Sequence, residues 1–192
     1  LECSKKLKNF GILAPNFKNT SIFNNYVGQS FILKTKLFKI NKFKLKQVEF
    51  IDNSFFIETK KAKRYLFDEN FFLYFETMEF CFRLRKNNEK LYVSDKIRFK
   101  HYVSQSVERK YSYISKLTRA WHYNWSKFYF LKKSNNYFYA LNKMKVNIIS
   151  AFRKFILNFI KLNFSGCYLN LIELFGIVSS LLFLNSFYRP KK

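Results

Sequence analysis

FDENFFLYFETMEFCFRLR, running from Phe67 to Arg85, is the stretch from which the rest of the chain is read. An acidic turn, Asp68-Glu69-Asn70, leads into the aromatic run Phe71-Phe72-Leu73-Tyr74-Phe75. The carboxylates Glu76 and Glu79 follow, and then a basic, helix-like stretch through Arg83 and Arg85. Only 12 of the 192 residues are acidic, so the four gathered here need a reason. Their spacing puts Glu76 and Glu79 on one helix face, with Glu79 four residues before Arg83 on that face. Carboxylates at a helix start, set against an aromatic wall, lose water, and desolvation raises a carboxylate's pKa toward the range useful to a general base. The same spacing also suits a helix N-terminus with favourable charges and an ordinary intrahelical ion pair, and spacing alone leaves both readings open.

The wording of the stretch resembles the late catalytic segment of family-2 glycosyltransferases, inverting enzymes that use nucleotide sugars and have a GT-A fold. Rhamnosyltransferase-like members carry a phrase of the form FDE-x-FF-x-YxED-x-DLC-x-RL. Phe67, Asp68, Glu69, Phe71, Phe72, Tyr74, Glu76, Cys81, Arg83 and Leu84 match it. Glu79 stands where the family usually has Asp, and Thr77 stands where it usually has the Asp that serves as catalytic base. The resemblance therefore implies Glu76, and after it Glu79, as the available catalytic carboxylates. It implies Asp68 and Glu69 as residues shaping the acceptor loop, with Tyr74 and Asn53 also on the acceptor side. The family often has Gly near Asn53, where the backbone must approach the acceptor, and Asn tolerates positive φ better than most residues.

Two further segments extend the resemblance. His101-Tyr102-Val103-Ser104-Gln105-Ser106 is similar to the family's H-x-x-G-x-S element, with Ser104 in place of Gly. This implies His101 as a ligand of a divalent metal, Mn²⁺ or Mg²⁺, or of the donor diphosphate; neutral imidazole suits Mn²⁺ beside carboxylates. Trp125-Ser126-Lys127-Phe128-Tyr129 is similar to a phrase that ends the helix after that His, with Arg119 and Lys127 as candidates for anion contact. A solvated helix face is the alternative for those two cations. His122 has no such support and reads as structural.

Composition bounds the rest. A hydrophobic content of 48% and an aromatic content of 21% argue against disorder. The formal net charge of +24 suggests an anionic partner: nucleic acid, nucleotide phosphates or an acidic membrane surface. Lys, Asn, Phe, Ile and Tyr also share A/T-rich codons, which accounts for part of that excess. No ordered nucleic-acid motif is present, so RNA is the lesser expectation. Cys3, Cys81 and Cys167 are far apart and form no CxxC pair, which supports neither a zinc knuckle nor a redox motif; reduced thiols in a cytosolic setting are expected.

Taken in order, Leu1 to Asn9 reads as a helix end, and Phe10 to Pro15 as a buried strand. Family-2 enzymes have a similar "GI-x-x-P" strand soon after their metal-binding DxD. The chain contains no DxD and opens on Leu1, so it is expected to be the acceptor-side part of a longer enzyme. Residues 16 to 46 read as polar and Lys-rich, with short strands around Ser30 to Leu33. Strands are expected at Val48 to Ile51, Phe55 to Ile57, Glu89 to Val93 and Ile97 to His101, and a helical turn or two at Lys60 to Tyr65. Helices are expected at Glu76 to Asn87, Tyr111 to Lys133 and Met144 to Phe164.

The last of these carries an apolar stripe, Ile148, Ile149, Phe152, Phe155, Ile156, Phe159 and Ile160, with Lys and Arg largely off it. Leu169 to Leu184 is apolar but interrupted by Asn170, Glu173 and Gly176, short of an uninterrupted spanning run. The resulting expectation is an α/β protein: residues 1–133 as the acceptor-side part of a GT-A catalytic domain, and 134–192 as a helical, membrane-associated tail. Its expected partners are a nucleotide-sugar donor, a glycan or lipid-linked acceptor, and the membrane surface at the cytoplasmic face. The competing class is a basic, aromatic-rich module that binds RNA or a membrane surface without catalysis.

Overall fold

The computed structural model describes residues 7, 10–17, 36–40, 43–51, 54–99 and 108–189. Among these are four strands: β1 (Phe10–Phe17), β2 (Lys36–Ile40), β3 (Phe43–Val48) and β4 (Lys90–Phe99). There are five helices: α1 (Thr59–Arg64), α2 (Glu76–Lys86), α3 (Ser112–Ser134), α4 (Tyr137–Ile160) and α5 (Phe164–Leu181). The class is mixed α/β, as expected. The chain divides into two compact units, one of Leu1–Asp68 with Thr77–Val103 and one of Glu69–Glu76 with Ser104–Lys192. α3 belongs to the second unit, where it packs with α4 and α5.

The first unit is built on a sheet of order β1-β4-β3-β2. β1 pairs parallel to β4, and β3 pairs antiparallel to both β4 and β2. β1 is the buried apolar run, and its ladder with β4 has two register shifts, the second set by extra residues in β4 between Val93 and Arg98. Gly11 falls between the pairs Phe10–Lys90 and Ile12–Leu91, where a Cβ would come within 2.8 Å of the Glu89 Cβ. Pro15, which lacks an N–H, falls between the pairs made by Ala14 and Asn16.

The β2–β3 hairpin lies in the stretch expected to be merely polar. Its apolar residues, Leu37, Phe38, Ile40, Phe43, Leu45 and Val48, stand among Lys and Gln without strict alternation, so no period of two marks the strands. Of the expected Val48–Ile51 strand, only Val48 belongs to a ladder. Phe56 makes a single antiparallel bridge to Leu13, with N···O distances of 2.8 and 3.0 Å. The two strands expected between Glu89 and His101 are one, β4. The expected strand at Ser30 to Leu33 and all but Leu7 of the expected first helix lie outside the described residues.

α2 packs in the first unit through Phe80, Cys81 and Leu84, all buried. Phe80 stacks on Phe67 at 4.6 Å and on Phe55 at 5.9 Å. The helix stops at Lys86 because Asn88 takes a left-handed φ of 60°, and the Glu89 N–H returns to the Leu84 carbonyl at 3.0 Å.

The second unit is helical. α3, α4 and α5 share an apolar cluster around Phe128, Met144 and Ile177, and α3 and α5 share a second around Leu117, Trp121, Trp125 and Ile172. α4 begins at Tyr137, earlier than expected, because Asn136 caps it by accepting from the Tyr139 N–H at 2.8 Å. It stops at Ile160, where Leu162 adopts φ 53° and Asn163 caps α5. The face of α4 that is buried is a narrow one of Ala140, Met144 and Ala151. Most of the expected apolar stripe faces outward, with Ile149, Phe152, Ile156, Phe159 and Ile160 all exposed.

Candidate functional site

The aromatic run before α2 is held in a conformation that side chains seldom adopt. Tyr74 and Phe75 both have φ 65°, the left-handed region that costs an L-residue roughly 1–2 kcal/mol. Two such residues in succession reverse the chain and deliver Glu76 to the first position of α2. The reversal is fastened within the second unit by α3. The Ser126 hydroxyl donates to the Leu73 carbonyl at 2.8 Å, and Phe75 lies 5.8 Å from Phe130 and 5.5 Å from Tyr123. Tyr74 meets Tyr123 edge-on at 5.6 Å, and Phe71 meets Tyr129 edge-on at 5.0 Å. Farther back, the Ser186 hydroxyl donates to the Asn70 carbonyl at 2.6 Å.

The two carboxylates that the sequence pairs have different fates. Glu79 is 1% exposed, and both its oxygens accept from Arg83 Nε, at 2.7 and 2.9 Å. The same guanidinium donates through Nη2 to the Leu66 carbonyl, tying α2 to the approach of the loop. Glu79 is thus consumed by the intrahelical ion pair. Glu76 is half-buried, and its Oε2 is buried with no hydrogen-bond partner among the described residues. The free N–H groups of the first helical turn carry partial positive charge that a carboxylate in this place complements. A carboxylate oxygen without a partner can accept a hydrogen bond from a hydroxyl and then its proton, provided the hydroxyl reaches it past the side chains that bury it here.

The other candidates are dispersed. Asp68 is half-buried in the first unit; Glu69 sits exposed in the turn, and Tyr74 is 36% exposed, both in the second. Asn53 and His101 lie outside the described residues. Arg119 is exposed on α3. Lys127 is half-buried and donates to Asn147 Oδ1 at 3.0 Å, and burial lowers its pKa from the ordinary lysine range. Among the described residues no group of three or more His, Cys, Asp or Glu side chains converges as a metal site.

Other features lay beyond sequence reading. In the second unit, Tyr123 and Asn124 of α3, Asn147, Ser150 and Lys154 of α4, and Glu173 of α5 line an open cleft of 280 Å³. No spacing links residues that far apart in the chain. The left-handed pair Tyr74-Phe75 carried no signal either, since neither Gly nor Asn marks it.

Cys81, which the family phrase includes, is an inert thiol. It is fully buried, it accepts from the Ile51 N–H at 3.4 Å, and burial pushes its pKa up to about 12. His122, read as structural, is fully buried beside Trp121 and Phe72. Its Nε2 lies 2.9 Å from the Tyr188 carbonyl, an acceptor, and 3.0 Å from Arg189 Nη1, a donor, so which of the two it pairs with depends on the ring tautomer. No family model matches this chain, and no curated protein or solved structure matches it.

Proposed function

We propose that this chain carries the acceptor side of an inverting glycosyl transfer from a nucleotide sugar to a glycan or lipid-linked acceptor. One observation supports this reading most: of two carboxylates three residues apart, Arg83 occupies Glu79 and leaves an oxygen of Glu76 unclaimed. Glu76 is the proposed base. An acceptor hydroxyl gives its proton to Glu76 while its oxygen bonds to the anomeric carbon. The bond from that carbon to the nucleoside diphosphate breaks, and the configuration inverts. Glu79 is the proposed positioning residue, fixing α2 through Arg83. Tyr74, Asp68 and Glu69 are proposed to shape the acceptor loop. Among the described residues no converging donor set for a divalent metal is present, and His101, the residue proposed toward one, lies outside them. The proposed setting is the cytoplasmic face of the cell membrane.

The test follows nucleotide release by the polypeptide of the whole reading frame, supplied with a panel of nucleotide sugars and lipid-linked or glycan acceptors. Glu76→Gln is expected to lower kcat by about 10²-fold or more with little change in KM, because proton removal belongs to the transition state. A mild effect of Glu76→Gln on an active enzyme overturns the assignment of the base. The competing reading rests on the +24 charge and the exposed Tyr113 and Tyr123 of α3. Tight binding of labelled single-stranded RNA, falling steeply with salt, in a chain that releases no nucleotide would favour it.

A further inference from the structure

The second unit carries an apolar surface that its own fold does not use. α4 turns Val146, Ile149, Phe152, Ile156 and Ile160 outward, each between 42% and 73% exposed. Their spacing of three and four residues makes them one stripe along the helix. The turn into α5 continues it, with Phe159 at 61%, Leu162 at 73% and Phe164 at 71% exposed. Leu162 also holds a φ of 53°, where glycine sits more easily. That conformation ends α4, but the exposure of these side chains does not help the fold in water.

Charge accompanies the stripe. From Tyr137 to Leu181 the cations are Lys143, Lys145, Arg153, Lys154 and Lys161, all exposed. The single acid there is Glu173, whose Oε2 accepts from Asn170 at 3.2 Å. A neutral apolar partner would cover the stripe and leave these cations unmatched. An anionic bilayer matches both, with acyl chains at the stripe and phosphates at the cations.

We propose that the α4 stripe and the α4–α5 turn form a docking surface for an anionic bilayer, lying at headgroup depth with the turn deepest and without crossing it. α5 is long and apolar enough to cross a membrane by length and composition, with a mean hydropathy of 1.4. It nevertheless has 39% of its residues buried inside the protein and carries Asn170 and Glu173 at its middle. An ionised Glu at mid-bilayer is costly. Gly176 lies so close to α3 that a Cβ would come within 2.4 Å of the Trp121 carbonyl oxygen. This inference goes beyond the sugar-transfer reading and stands if that reading fails, because its test uses no substrate.

The test is flotation of the full chain with phosphatidylcholine vesicles, with and without phosphatidylglycerol. The chain is expected to float with the anionic vesicles alone and to be released by high salt. The double variant Ile160→Asp/Leu162→Asp is expected to bind roughly tenfold or more weakly. The double variant Arg153→Glu/Lys161→Glu is expected to lose a similar factor on anionic vesicles. All four side chains are exposed, so circular dichroism should not change. Equal flotation with both vesicle types, or binding indifferent to the Ile160/Leu162 change, overturns the proposal. So does a dimer by sedimentation equilibrium that the same change abolishes, since a second copy would then cover the stripe. Retention in native membranes after a carbonate wash would mean that α5 spans, which also overturns it.

Discussion

Glu79 and Arg83 form an ion pair whose acid has almost no contact with water, while Arg83 keeps a 28% exposed side chain. Removing one member of a buried pair leaves a charge that the interior does not solvate. Arg83→Met is therefore expected to destabilise the first unit by roughly 3 kcal/mol, seen as a lower urea midpoint with an unchanged m-value. Glu76→Gln, at a carboxylate with an unclaimed oxygen, is expected to change stability by less than about 1 kcal/mol. The reverse pattern would make Glu76 the structural carboxylate and Glu79 the candidate base. At Tyr74 and Phe75 the left-handed backbone is offset by ring contacts with α3, so the loop's shape depends on Tyr123 and Phe130 as much as on its own sequence.

Elements show the same dependence. α5 reads in sequence as an apolar segment flawed by a glycine. In the fold Gly176 is buried and is the residue that allows α5 to approach the backbone of α3. A methyl group there meets a carbonyl oxygen rather than the end of a flexible side chain, so the helices must separate. Gly176→Ala, which raises intrinsic helix propensity, is nonetheless expected to cost about 1–3 kcal/mol through overpacking. Thermal unfolding of the second unit checks this, and an unchanged or raised midpoint would refute the close-packing argument. The β2–β3 hairpin shows it too: its apolar residues stand among lysines with no strict alternation, so only pairing with β4 identifies the strands.

Over the whole chain, the segment near the C-terminus is fastened far upstream. The Trp125 indole N–H donates to the Leu184 carbonyl at 3.0 Å, and the Arg189 guanidinium lies 3.5 Å from the centre of the Phe72 ring. Arg189 Nη1 donates to the Ser186 and Tyr188 carbonyls at 2.8 and 2.9 Å. His122 sits beneath this closure. Burial, with the nearby Arg189 charge, lowers its pKa to about 4, against 6.5 for a free histidine. Between those values the unfolded chain binds a proton that the folded one refuses. The stabilisation is whole above pH 6.5 and is lost as pH falls toward 4, a loss on the order of 3 kcal/mol. Urea titrations across that window check it. His122→Gln, which keeps a donor for the Tyr188 carbonyl and cannot titrate there, should flatten the slope.

The sequence by itself determined that this is a mixed α/β chain with long helices in its second half. It also placed Glu79 and Arg83 within reach of each other. These are local matters of period and spacing, and they hold wherever the segments pack. Only the tertiary structure decided that Glu76 is the carboxylate left with an unclaimed oxygen, because that depends on which side chains surround each acid. It likewise decided that α4 buries Ala140, Met144 and Ala151 and turns its larger apolar residues outward. Hydrophobic periodicity describes a helix face, whereas burial depends on the surface that meets it. α3 and α5 cover the side of α4 that carries Ala140, Met144, Leu141 and Ile148, and nothing in the spacing of Ile149, Phe152 and Ile156 could show that.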